Sequence, residues 1–182
     1  MRAPLNFVHD RVDIGRLNAD TEYGRRFPDQ AQMDGIRVPR LGELLHLVSQ
    51  PRYATACLML ELKSDPDFAQ DSAVRERIVS VICRDVREAK LADRTLLHSF
   101  DWALLAECRR QAPDMPLSFL TQLQENEHDV GEDSSILVTP DFSKPDMSVP
   151  DEVRKAGGSL WCPHFIELGA DDLAHARELG LA

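Results

Sequence analysis

Short apolar runs of strand length alternate with stretches of helical period from Arg40 onward, and no other feature constrains the fold as tightly. RLGELLHLVSQ (40–50) places Leu41, Leu44, Leu45 and Val48 at helical spacing, and Pro51 stops it. TACLMLELK (55–63) is a run suited to a strand buried on both faces. DSAVRERIVSVICRDVREAKL (71–91) repeats Val74, Ile78, Val81, Ile82 and Val86 at three- and four-residue steps, which predicts an amphipathic helix. RTLLHSF (94–100), PLSFLT (116–121) and SLWCPHF (159–165) read as further strands. The helices between and after them are SFDWALLAECRRQAP (99–113), PDEVRKAG (150–157) and DDLAHARELGL (171–181). Ser99 or Asp101 is the expected cap of the first of these.

Strand–helix alternation of this kind marks parallel βαβ units, so the fold class is α/β with four strand–helix units. Periodicity alone does not choose between an open doubly wound sheet and a barrel. Residues 1–39 keep breaking any period at Gly15, Asn18, Gly24, Pro28, Gly35 and Pro39, and read as an irregular lead-in to the units of 40–182. Residues 122–150 are polar apart from the apolar island Ile136–Val138. The last helix runs to Ala182 where another strand is expected, so the chain reads as truncated, with an open sheet edge.

Composition excludes several classes. The chain has 182 residues, a net charge of −10 and no Lys/Arg cluster, which argues against a nucleic-acid partner. At 43% hydrophobic and 29% charged it is a soluble globular type. Its longest clean apolar stretch, Ala56 to Leu60, is far too short for a signal peptide or a membrane span. Cys57, Cys83, Cys108 and Cys162 form no CxxC and read as small hydrophobes of a reduced, cytoplasmic protein.

Candidate chemistry concentrates in Glu61-Leu62-Lys63. The period of two projects Glu61 and Lys63 from one side of the strand and Leu62 from the other. Ligands of parallel α/β folds sit at the carboxyl ends of strands, where these residues fall. A carboxylate suits Mg²⁺ or Ca²⁺ and an ammonium suits a phosphate oxygen, although a plain surface ion pair explains the same spacing. Ser99 is placed to bind substrate or cap a helix, and Trp161 to line a pocket or fill a packed layer. None of His9, His46, His98, His128, His164 and His175 forms HExxH or HxH; His98 and His164 lie near strand ends. No GxSxG, GxGxxG or GxxxxGK[ST] is present.

LMLELK, HSFDWALLAECRRQAPDMPLSFLT and GGSLWCPHF, in that order, resemble the glycerophosphodiester phosphodiesterases. The stretch from Asp13 to Leu45 also resembles the segment preceding the Glu-x-Lys strand of bacterial members. The resemblance implies a partial TIM barrel, strands three to six with their helices. It implies metal-dependent hydrolysis of a small glycerophosphodiester to sn-glycerol 3-phosphate and an alcohol. By that likeness Glu61 is a ligand of a divalent metal (Mg²⁺ or Ca²⁺), Lys63 neutralises the phosphate, and Ser99-Phe100 and Trp161 belong to the substrate side. The family's His-Arg-Gly, Glu-x-Asp and last two strands are not found here. His9-Asp10 tempts as the family's His-Asp, but aligning Asp13-Ile14-Gly15 with the family segment places His9 downstream of that motif. The expectation is therefore one partial domain, weakly active or inactive alone, whose full-length form could be periplasmic. The alternative is a non-catalytic half-barrel that self-associates through its open sheet edges.

Overall fold

A computed structural model of the chain describes residues 12–64, 70–122, 140, 142 and 147–182. His9, Asp10, His128 and the island at 136–138 lie outside the described residues. The chain divides into two compact units, Met1–Leu47 and Val48–Ala182.

In the first unit the lead-in is more ordered than its broken periodicity predicts. Asp13 accepts hydrogen bonds from Gly15 N (2.9 Å) and Gly35 N (2.7 Å), while Ile14 N donates to Ile36 O and Met33 N to Gly15 O, both at 2.8 Å. A side chain at Gly15 would meet the Met33 carbonyl oxygen at 1.9 Å, so this close backbone approach requires glycine. Between the two stitched segments lies a short helix, α1 (Glu22–Arg26), capped by Thr21 with Glu22 in its first turn and Arg25 and Arg26 in its last. Five residues are too few to register as an apolar period. Helix α2 (Leu41–Val48) ends before Pro51, as its sequence predicts.

The second unit is built on β1 (Leu58–Glu61), β2 (Thr95–Ser99), β3 (Leu117–Thr121) and β4 (Leu160–Pro163). The strands are parallel and lie in the order β1-β2-β3-β4. A doubly wound sheet reverses its strand order at a switch point, whereas a TIM barrel adds each strand beside the last. This sheet does the latter, so it is an arc of a barrel, the partial TIM barrel that the sequence suggests.

The crossovers carry α3 (Ser72–Glu88) and α4 (Trp102–Gln111) between the first three strands and α5 (Val149–Lys155) before β4; α6 (Ala170–Glu178) follows it. Three of these four helices start on a capping side chain. Asp71 accepts from Ala73 N and Val74 N, Asp101 from Ala103 N and Leu104 N, and Ser148 from Asp151 N. Gly157 and Gly180 take positive φ just beyond α5 and α6 and stop them.

One face of the sheet carries the core. Leu97 and Phe119 are buried there, as are Val79, Cys83 and Val86 of α3 and Leu104, Leu105 and Cys108 of α4, and α4 packs on β2 and β3. Trp102 meets Phe119 edge to face, with ring centroids 4.7 Å apart. On the opposite face, Met59 of β1 is 57% exposed. At the amino ends of the strands, Arg94 Nη1 donates to the carbonyls of Tyr53, Ala54 and Ala56, fastening the turn before β1 to the turn before β2.

Beyond α6 the chain returns to β4. Ala182 N donates to Ser159 O and Trp161 N to Ala182 O, both at 3.1 Å, the bonding of a one-residue parallel bridge. The outer edge of β4 is therefore occupied beside Leu160. Among the described residues no helix is long and apolar enough to cross a membrane.

Helices α5 and α6 are joined by His175 Nε2 and Asp151 Oδ2 at 3.0 Å. This bond holds the His175 imidazole above its usual range and the Asp151 carboxyl below its own. A raised folded-state pKa stabilises fully below the unfolded value of about 6.5 and is lost as pH rises through the folded value. Asp151 acts in the opposite sense, its contribution disappearing as pH falls through its lowered pKa. The thermal-stability difference between the wild type and Asp151→Asn is expected to be largest in the mildly acidic range. It should shrink on raising the pH, and a difference that grows toward pH 9 would contradict this linkage.

Candidate active site

Strand β1 ends by delivering Glu61 and Lys63 to one side, and the structure fixes the backbone between them. Leu62 turns to the core face, where it is 4% exposed. Its N–H donates to His98 O (2.8 Å) and its carbonyl accepts from Ser99 Oγ (2.6 Å). Ser64 donates its hydroxyl to Asp101 Oδ2. The backbone is thus pinned on both sides of Lys63, although Lys63 itself reaches outward.

Lys63 Nζ lies 3.5 Å from Glu61 Oε1, with side-chain exposures of 61% and 36%. An exposed ion pair of this kind is worth under about 1 kcal/mol. It therefore opens easily when a ligand competes for either partner. The cleft beneath, lined by Glu61, Leu62, Lys63, Ser64, Ser99, Phe100 and Asp101, has a volume of only about 10 Å³, room for one water. A ligand of this pair must sit above it. A larger cavity, about 470 Å³, lies at the amino ends of β3 and β4 between Arg109, Asp114, Gly157 and Ser159. None of the residues singled out by sequence lines it, and the carboxyl ends of the strands remain the better ligand position on chemical grounds.

Ser99 is 0% exposed and fully engaged: besides donating to Leu62 O, its hydroxyl accepts from Asp101 N at 2.9 Å. The helix cap is Asp101, one of the two residues the sequence offers, and Ser99 instead buckles β1 to β2. Trp161 stands in register with Phe119 and donates its indole N–H to Thr121 Oγ1 at 2.9 Å. By strand alternation it projects from the face opposite to Glu61. The structure therefore brings Glu61, Lys63 and the Ser99 backbone connection together and sets Trp161 apart from them.

His98 is the residue whose place the sequence leaves open, and it stands beside Glu61 in the β1–β2 register. Burial holds its imidazole below the usual range, opposed by the Glu61 charge and by a hydrogen bond to Ser118. His164 lies just past β4, its ring 5.0 Å from that of Phe165. Cys108 is buried and pushed up to about 12, and burial raises Cys83 as well, so neither supplies a thiolate nucleophile.

The fit of a divalent metal is decided by donors. Among the described residues no group of three or more His, Cys, Asp or Glu side chains could hold one. Glu61 offers carboxylate oxygens only, and Mg²⁺ or Ca²⁺ needs more ligands than one side chain supplies. The described residues do not by themselves make a metal cage.

No protein-family model matches the chain, and no curated protein matches it. Among solved structures it is similar to a protein of Silicibacter pomeroyi DSS-3 provisionally named a glycerophosphoryl diester phosphodiesterase. The two share 48% identity with a TM-score of 0.80, over 93% of this chain and 52% of that one. A glycerophosphodiester phosphodiesterase from Parabacteroides distasonis matches at 19% identity and TM-score 0.59, over 92% of this chain and 61% of its own. A provisionally named one from Galdieria sulphuraria matches at 18% and 0.60, over 93% and 56%. The latter two likenesses show the shared fold. The chain spans a little over half the length of these relatives.

Ser99→Ala removes the partner of two buried backbone groups, and is expected to cost about 2 kcal/mol. The measurement is the urea midpoint at unchanged m-value. A loss under about 0.5 kcal/mol would mean that the hydroxyl does not hold the strand ends together.

Proposed function

We propose that this chain, a relative of the glycerophosphodiester phosphodiesterases in sequence and in fold, carries the phosphate-binding sector of such a site. The ligand is a small glycerophosphodiester, and the family reaction would release sn-glycerol 3-phosphate and an alcohol. The observation that supports this reading is the exposed Glu61–Lys63 pair at the carboxyl end of a barrel strand, 3.5 Å apart on a pinned backbone.

Lys63 is the phosphate ligand: a mobile ammonium on a fixed backbone, free to leave a weak ion pair for a dianionic or monoanionic oxygen. Glu61 is proposed as one oxygen donor to a divalent metal, Mg²⁺ or Ca²⁺. Since the described residues supply no further donor set, no step is assigned to the metal. Ser99 and Asp101 act from behind by holding the segment that presents Lys63. Trp161 enters this reading as a wall of the packed layer and not as a contact to the phosphate.

General acid–base work on the attacking and leaving oxygens needs positioned groups of its own. Lys63 and Glu61 bind and orient charge, so the 182-residue chain is expected to bind the product better than it makes it. Incubated with glycerophosphocholine and added Mg²⁺ or Ca²⁺, it should release little or no glycerol 3-phosphate by ³¹P NMR. It should bind sn-glycerol 3-phosphate, and Lys63→Ala should weaken that binding about tenfold. Turnover that Glu61→Ala abolishes would overturn the inactive reading, and equal binding by Lys63→Ala would overturn the phosphate role.

A second reading, a non-catalytic half-barrel that pairs with another copy, draws support from the exposed Met59 on the face away from the core. Size-exclusion chromatography separates the two, because a folded monomer leaves the assembly reading without support.

A further inference from the structure

Glu61 has a second neighbour besides Lys63. In the registers of the sheet it stands beside His98, and His98 stands beside Ser118, so the three side chains line one face across β1, β2 and β3. Neighbouring strands lie about 4.8 Å apart, within reach of an imidazole. His98 is 7% exposed and Ser118 1%, and His98 Nδ1 lies 2.8 Å from Ser118 Oγ. That contact engages Nδ1, and Nε2 is the ring nitrogen farther from the backbone. A ring this buried, locked at one nitrogen and set beside a carboxylate, is more than packing requires.

We propose that His98 is a positioning residue for the Glu61–Lys63 pair: when a phosphate draws Lys63 away, the Nε2–H of His98 takes up the Glu61 carboxylate. The inference rests on the phosphate reading above. Lys63 cannot serve Glu61 and a phosphate fully at once, and an abandoned Glu61 would both pull it back and repel the incoming anion. A donor on the other side of Glu61 removes that competition. The neutral ring suffices, with the Ser118 hydroxyl donating to Nδ1 and leaving the proton on Nε2. No bond breaks and no proton changes hands.

The two amide replacements of histidine separate this role from a structural one. His98→Asn keeps a polar atom near the Nδ1 position facing Ser118, whereas His98→Gln carries one out to the Nε2 position. With the metal-free 182-residue chain and sn-glycerol 3-phosphate as probe, His98→Asn should bind about tenfold more weakly and His98→Gln within about twofold of wild type. In a Glu61→Gln background, His98→Asn should have no further effect. Wild-type affinity in His98→Asn, or a loss that persists in the Glu61→Gln background, would overturn the proposal. If a variant fails to fold, the imidazole nitrogen spectrum of the wild type decides. An Nε2–H tautomer whose Nε2 shifts on adding the probe is expected, and an Nδ1–H tautomer overturns the proposal. Should the wild type not bind the probe, or Lys63→Ala bind it equally, the phosphate reading falls and this inference with it.

Discussion

Two buried side chains, Ser99 and Asp101, hold the carboxyl end of the sheet in one geometry. Ser99 Oγ bridges from Asp101 N to Leu62 O, joining β2 to the end of β1, while Asp101 caps α4 with one carboxylate oxygen and takes Ser64 with the other. Both residues are at most 2% exposed, so these bonds are made without competition from water. A strand end is ordinarily the place where backbone order fades. Here the residues after Glu61 are tied to the next strand and to the start of its helix, which lets a flexible lysine project from a fixed point.

Division of labour between the two faces follows from that anchoring. The face with Leu97 and Phe119 is closed by helices, and its polar groups are consumed internally. The other face gathers Glu61, His98 and Ser118 in one row, with Lys63 beside Glu61. Glu61 keeps 36% of its side chain exposed, so its charge stays open to a ligand and to the solvent. The larger cavity at the amino ends of β3 and β4 has volume without comparable chemistry.

Most of the architecture was legible because its signals are local. Asp71 and Asp101 precede their helices by one residue, Gly157 follows its own, and the strand candidates 55–63, 94–100 and 116–121 contain the observed strands, whereas the last helix stops at Glu178 instead of running to 181. The Glu61–Lys63 spacing is likewise local, since a period of two within one strand decides which side chains meet. What escaped depends on register between strands. That His98 stands beside Glu61 and Ser118 is fixed by two ladders joining segments 20 or 37 residues apart, and no spacing in the sequence encodes it. Ser99 illustrates the same limit: its position three residues before the helix suggests a cap, but its hydroxyl donates to the Leu62 carbonyl just past another strand. The first-unit stitching by Asp13 was hidden for a similar reason, as its two backbone partners lie 2 and 22 residues away.

The simple order β1-β2-β3-β4 has a consequence for how such a sheet is assembled. Every ladder joins a strand to its immediate successor in the chain, so no pairing has to wait for a segment synthesised much later. During translation each new strand could dock on a finished neighbour, and its crossover helix could settle before the next strand emerges. Intermediates would then be shorter versions of the same arc, each presenting one templating edge. Sheets whose strand order shuffles the sequence have no such series of native-like precursors. A growing arc tolerates gain or loss of whole strand–helix steps at its margin while the interior ladders keep their partners.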